Sequence, residues 1–192
     1  MKESAEWSED QQLMLRAGRG DLGAFEEVVN RYQHLIFSFV ARMVGSDFEA
    51  EDIAQEVFLR AWKSASRYEP SAKVSTWLVA IAKNLVFDNN LRKRKENRVL
   101  KSSPTCFEFR TQEDIEKREP HRILEAKELA AEVERAILSL PEKARLAIIL
   151  LRYEGMSYEE VAQVLGISIG ALKSVVFRSR QYLKEKLKKY LE

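Results

Sequence analysis

The chain has 192 residues, of which 45% are hydrophobic and 32% charged, and its formal net charge is only +2. That length suits one large or two small domains, and the overall charge by itself points to neither nucleic acid nor a membrane surface. One cysteine, Cys106, excludes an intramolecular disulfide, and two histidines, His34 and His121, without neighbouring ligands argue against a metal cluster.

The N-terminal MKESAEWSEDQQ is polar and acidic, unlike a signal peptide. No apolar run is long enough to span a bilayer, so a cytoplasmic protein with no membrane insertion is expected. Ser8-Glu9-Asp10-Gln11 is a capping-box pattern, in which a serine oxygen and a downstream acid or amide satisfy orphan backbone amides. It predicts a first helix over about 8–19. Asp21 is a simpler cap for a second helix over about 21–44. Ser46-Asp47-Phe48-Glu49 opens a third over about 47–66, and Ser75 caps a fourth over about 75–95. In the third, Ile53, Val57 and Ala61 share a face with Phe58 and Trp62 beside it. In the fourth, Trp77, Leu78, Ile81, Leu85 and Phe87 supply apolar mass. Sustained period-two alternation is missing, so the fold class is all-α.

Two surfaces in this half carry chemistry. The third helix bears Glu49, Glu51, Asp52, Gln55 and Glu56 around the exposed-looking Phe58 and Leu59. A solvated face explains such charge, and so does docking on another protein. The fourth mixes Lys73, Trp77, Lys83, Asn84, Arg92, Lys93, Arg94 and Lys95. Such a surface can follow a phosphate backbone while pockets take unstacked bases. Trp77 reads first as ordinary core, whereas four consecutive basic residues favour a polyanion.

Residues 99–124 contain two prolines, mixed charge and no apolar period, and read as a linker, partly extended. Helical periodicity resumes with Leu129, Val133, Ala136, Ile137 and Leu140 on one face. Ser139-Leu140-Pro141-Glu142 is a third capping-box pattern, and Ala144, Ala147, Ile148 and Leu151 continue on the next helix. YEEVAQVLGISIGALKS (158–174) then reads as two short helices joined by a tight turn. Ser157 caps the first, Ala162 faces inward where the second must approach, and Gly166 ends it in the left-handed conformation. Ile167 plugs the corner, Ser168 caps the second helix, and Leu172 locks it against Val161 and Leu165. This is a helix-turn-helix arrangement. The second helix exposes Lys173, Ser174, Phe177, Arg178 and Gln181, residue types that reach phosphates or base edges. From Lys173 to Lys189 there are seven basic residues against one acid, Glu185, so the near-neutral total hides a basic end. Cations also suit a helix C-terminus, which accounts for Lys184–Lys189 as well as DNA does.

With these motifs in order, the chain resembles bacterial RNA polymerase sigma factors of the extracytoplasmic-function (ECF) group over nearly its whole length. GDLGAFEEVVNRY (20–32) is similar to the family's opening segment and AEDIAQEVFLRAW (50–62) to its core-polymerase-binding helix. STWLVAIAKNLVFDNNLRKRK (75–95) is similar to its promoter-melting helix, and residues 140–183 to its second conserved domain. The resemblance implies a region 2 domain over 1–98, a linker over 99–124 and a region 4 domain over 125–192. It implies that Asp52, Gln55, Glu56 and Phe58 dock on the clamp helices of the polymerase largest subunit. The flap of the second-largest subunit is a further implied contact. The loop Arg67–Val74, with Lys73, Trp77, Lys83, Asn84 and Asp88, would open the −10 element and capture a flipped base, while Arg92, Lys93 and Arg94 would hold phosphates. Ser168, Ala171, Lys173, Ser174, Phe177 and Arg178 would meet the duplex −35 element. The linker would thread near the polymerase active centre and RNA exit path, and an anti-sigma factor would mask the docking surfaces.

Ala171-Leu172-Lys173-Ser174-Val175 departs from the family's usual Thr-Val-Lys-Ser-Arg, losing a hydroxyl and a basic residue. The first twenty residues match poorly, and the chain's end soon after the second domain implies that no C-terminal sensor extension is present. No nucleophile–base pair, Gly-rich phosphate loop or metal-ligand set is evident, so neither catalysis nor a cofactor is expected. A free-standing helix-turn-helix regulator would need a sensor domain, and the segments 49–62 and 73–95 argue against it. The exposed reading face argues against a sequestering adaptor.

Overall fold

The computed structural model describes residues 7–96 and 120–190, with side chains over 7–93 and 128–190. Eight α-helices and two short 3-10 turns make up the regular elements described. The chain divides into two compact units between residues 102 and 103.

The first unit holds α1 (Glu9–Ala17), α2 (Leu22–Val44), α3 (Asp47–Ser64) and α4 (Val74–Glu96), with a 3-10 turn at Ala65–Arg67. The expected capping box at Ser8 is complete: Gln11 N–H donates to Ser8 Oγ at 3.3 Å, and Ser8 N–H donates to Gln11 Oε1 at 2.9 Å. Asp21 Oδ1 accepts from Ala24 N–H at 3.0 Å and starts α2, which Gly45 ends at φ 75°. Ser46 caps α3 with one arm only, accepting from Glu49 N–H. The reciprocal arm is missing because the Glu49 carboxylate reaches across to Lys93 Nζ on α4. Ser75 does not cap α4. The helix begins one residue earlier, with Lys73 C=O accepting from Trp77 N–H, which places Ser75 inside the first turn.

Packing follows from side-chain size. α3 turns Ala50, Ala54, Val57 and Ala61 inward, all at most 8% exposed. These small residues let α2 and α4 approach closely, and α2 fills the space with Ile36, Phe39, Val40 and Met43. α1 contributes Met14, and α4 contributes Leu78, Val79 and Val86. Trp62 stays half-buried, its ring tilted against Phe25 at 5.1 Å.

The second unit holds α5 (Pro120–Leu138), α6 (Glu142–Arg152), α7 (Tyr158–Leu165) and α8 (Ile169–Lys186). The linker expected over 99–124 lies outside the described residues as far as 119, and α5 starts at Pro120. α6 is the hub, with Leu146, Ala147, Ile149 and Leu150 fully buried beneath α7 and α8. Ser139 is not the cap of α6: Pro141 occupies that position, and Ser139 Oγ bonds Ala136 C=O at 2.7 Å instead. The α5–α6 corner is held by the Arg145 guanidinium, which donates to the carbonyls of Leu138 and Leu140 at the end of α5. A cation there also suits the helix dipole. Burial along the apolar face of α5 increases toward its C-terminus: Leu129 is 40% exposed rather than buried, Val133 is half-buried, and Ala136 and Ile137 are buried.

Candidate nucleic-acid interface

In the second unit, the Ser157 capping box is complete: Glu160 N–H meets Ser157 Oγ at 3.2 Å, and Ser157 N–H meets Glu160 Oε2 at 2.7 Å. Gly166 then takes φ 66°, a left-handed conformation that strains any residue with a Cβ. Its N–H and that of Ile167 close onto the carbonyls of Gln163 and Ala162. Ser168 Oγ accepts from Ala171 N–H at 3.2 Å and starts α8. The axes of α7 and α8 are bent by 98°. That angle is within the range of a helix-turn-helix.

The two faces of α8 separate as the sequence predicts. Leu172 and Val176 are buried beneath it, and Ser179 is buried with its hydroxyl donating to Val175 C=O at 2.8 Å. On α7, Val161 and Val164 are buried and Leu165 is half-buried. On the outer face Lys173, Ser174, Phe177 and Arg178 line one shallow depression, and Phe177 is 64% exposed. Ala171 and Gln181 are exposed beside them. Arg178 Nε donates to Ser174 C=O at 3.3 Å, which lays the guanidinium along the helix. Ser174 Oγ donates to Gly170 C=O and keeps lone pairs for an incoming donor. An exposed phenyl ring flanked by a guanidinium, an ammonium and a hydroxyl can meet a thymine methyl, a guanine edge and a phosphate together. Val175 is half-buried against the unit, so it withdraws from this face.

In the first unit, Trp77 is half-buried and stands edge-on to Tyr68 at 5.3 Å. Burial pushes the Tyr68 phenol pKa up, and its hydroxyl donates to Ala72 C=O at 2.9 Å. At 100° per residue, Trp77, Asn84 and Asp88 fall on one face of α4, and Asn84 and Asp88 are exposed. Lys73 and Arg92 are exposed and Lys83 is half-buried. Lys93 stands apart: it lies about 160° round the helix from Trp77, and its ammonium pairs with Glu49. The side chain of Arg94 lies outside the described residues.

On α3, Asp52 and Gln55 are exposed and Glu56 is half-buried, bonded to Arg60 at 2.7 Å. That hydrogen bond holds the Glu56 carboxyl below its ordinary pKa. Phe58 is half-buried. The exposed apolar residues are Leu59, at 54%, and Phe48, at 78%, which sequence reasoning treated only as part of a cap. Positions 48, 52, 55 and 59 fall at i, i+4, i+7 and i+11, a single stripe. That spacing was the signal available for Phe48.

The profile for Sigma-70 region 2 matches residues 28–98, and that for Sigma-70, region 4 matches residues 130–183. RNA polymerase sigma-H factor of Pseudomonas aeruginosa is 34% identical over 187 residues, covering 95% of this chain and 96% of the relative. The chain belongs to the ECF group of RNA polymerase sigma factors. ECF RNA polymerase sigma factor SigW of Bacillus subtilis is likewise 34% identical, with 88% of this chain and 92% of that protein covered. The sigma factor RpoE of Bartonella quintana, solved in complex with the anti-sigma factor NepR, shares the fold. Its TM-score is 0.68 at 24% identity, with 85% of this chain and 96% of that one covered. As a sigma factor the chain is a transcription initiation factor and not an enzyme. The region 2 match takes in α3, the loop Arg67–Val74 and α4, and the region 4 match takes in α7 and α8. Helix α1 precedes the first match. No single helix among the described residues is long and apolar enough to cross a membrane.

Proposed function

We propose that this sigma factor divides its work among three surfaces, working with polymerase in the cytoplasm. The α8 face of Lys173, Ser174, Phe177 and Arg178 reads the duplex −35 element, with Ser168 and Ala171 at the helix start facing the adjoining backbone. The observation that carries this reading is the depression these four side chains share on an exposed face of the second helix of a helix-turn-helix. The loop Arg67–Val74 and the α4 face of Trp77, Asn84 and Asp88 hold an unstacked base of the −10 element. Lys73, Lys83, Arg92 and Arg94 neutralise phosphates around it. Lys93 joins them only by exchanging Glu49 for a phosphate. The α3 stripe of Phe48, Asp52, Gln55 and Leu59, with Glu56 and Phe58 at its edge, docks on the clamp helices of the polymerase largest subunit. The second unit meets the flap of the second-largest subunit.

The mechanism is an exchange of interactions. Melting loses stacking and pairing, and an unstacked base held in a protein pocket offsets part of that loss. Nucleotide addition belongs to the polymerase. The domain limits we propose are region 2 over 1–98, a linker over 99–124 and region 4 over 125–192. The Bartonella sigma factor was solved with an anti-sigma factor, and we propose a partner of that kind for this chain, covering the α3 stripe. Run-off transcription with purified core polymerase, with and without the protein, on a pooled promoter library tests the whole reading. New transcripts sharing a pair of upstream elements are expected. DNA retention by the protein alone, without transcripts, would instead indicate a free-standing regulator.

A further inference from the structure

Helix α1 lies outside the region 2 match, yet its first turn bonds the loop Arg67–Val74 and its C-cap crowds the 3-10 turn that leads into that loop. At one end, Gln11 Nε2 donates to the carbonyls of Pro70 at 3.0 Å and Ala72 at 3.4 Å. A primary amide has two N–H donors, so both bonds can be made at once. The same amide uses its oxygen to accept from Ser8 N–H at 2.9 Å. Tyr68 Oη adds a second donor to Ala72 C=O. At the other end, Gly18 lies so close to the 3-10 turn that a Cβ would sit 2.7 Å from Ala65 O and 3.3 Å from Ser66 Cα.

The consequence is a directional loop. Pro70 and Ala72, whose carbonyls α1 holds, are half-buried, while Glu69, Ser71 and Lys73 are exposed. Residues 70–72 form a turn, and fixing two of its carbonyls from behind limits which of its side chains can face outward. We propose that Gln11 and Gly18 are positioning residues for −10 recognition, with α1 serving as the backing that holds the loop 67–74 in its base-accepting shape. This rests on the reading of that loop given above.

Gln11→Glu separates the two duties of the amide. A glutamate remains a good capping-box partner for Ser8. Its carboxylate cannot donate to Pro70 and Ala72 and faces their oxygens instead. The assay reconstitutes holoenzyme from core polymerase and the full chain, on a promoter fragment taken from the pooled library. Permanganate reactivity of thymines reads melting of the −10 element. Competition among single-stranded −10 oligonucleotides reads base preference. Loss of two side-chain–backbone hydrogen bonds predicts a melting constant lower by about tenfold, with relaxed base preference. The melting temperature of the protein is expected to fall by only a few degrees, and its pull-down by core polymerase and its binding to −35 duplex are expected at wild-type levels. Gly18→Ala, which crowds the turn and leaves Gln11 intact, is expected to give the same selective loss. Wild-type permanganate reactivity and base preference in both variants would overturn the proposal, and so would a loss shared equally by core-polymerase and −35 binding. Trp77→Ala and Asn84→Ala serve as the parallel test: unchanged melting in those two would remove the loop and α4 from −10 recognition altogether. Reduced melting there with a wild-type Gln11→Glu would overturn only the role of α1.

Discussion

Removing Arg178 is the sharpest perturbation of the −35 reading. Its side chain is exposed on α8, where Nε donates to Ser174 C=O at 3.3 Å. Truncation to alanine therefore opens no cavity, and the thermal transition of the protein is expected to stay within error of wild type. The terminal nitrogens are the pair that can reach a guanine edge together. A bidentate contact of that kind is worth about 1–3 kcal/mol of discrimination, or roughly 5- to 150-fold in affinity for the cognate site. Lys173 supplies a point charge instead. At a phosphate it would add about 0.9 to the slope of log K against log salt. The two variants should then differ in kind. Arg178→Ala should flatten preference at one base pair of the −35 element, and Lys173→Ala should weaken binding evenly across sequences and reduce the salt slope by about one. Fluorescence anisotropy of labelled −35 duplexes over a salt series, with single-base variants of the site, measures both. If both proteins bind every duplex as wild type does at every salt concentration, the assignment of this face is wrong.

Asp52→Lys reverses the charge at the centre of the exposed α3 stripe and should reduce pull-down by core polymerase while the circular dichroism spectrum is unchanged; an unchanged yield removes α3 from docking. Leu172→Ala truncates a fully buried side chain beneath the recognition helix and should cost about 2–5 kcal/mol, read in a urea melt, with −35 binding lost alongside. The Asp21 carboxyl is held below its ordinary value of 3.8 by the Ala24 N–H and then by Arg16, so its capping is fully present above that pH and fades as pH falls through the lowered value. Asp21→Asn should therefore lower the melting temperature at neutral pH, with the gap to wild type closing in acid. A gap that is constant over the whole pH range would contradict this account of the cap.

The parts of the fold that depend on near neighbours were legible in the sequence. Ser8, Asp21, Ser46, Ser157 and Ser168 each bond a backbone amide three residues on, and Gly166 needs only its own φ, so a short window contains the whole cause. Ser139 shows where that fails. Its pattern matches a cap, but Pro141 starts α6, and the serine finds Ala136 C=O and Tyr182 Oη, 43 residues away. The site calculus behaves in the same way. The outer face of α8 follows from helical period alone, whereas Lys93 looked like part of a basic run until Glu49, 44 residues earlier, took its ammonium. Gln11 was visible as a capping residue, but its second partner lies 59 residues along the chain, and no local pattern encodes it. Phe48 was hidden differently: it sits inside a cap sequence, and its exposure of 78% belongs to the helix stripe that follows.

On the proposed assignments, these surfaces would also explain why such a protein needs polymerase to act. Opening duplex DNA costs on average about 1.4 kcal/mol for each stacked step, so melting several steps requires several kilocalories. On the proposed assignment, one captured base and a few phosphate contacts on α4 would return only part of that. Joining the −35 and −10 surfaces in one chain makes the second contact intramolecular, which raises its effective concentration to roughly the millimolar range without any new contact. Docking α3 on polymerase, as proposed, would add the polymerase's own DNA contacts to the same complex. On this account a defect in the α3 stripe should abolish melting even where both DNA-reading faces are intact, and Gln11→Glu should leave a closed complex that forms normally and opens with a constant lower by about tenfold.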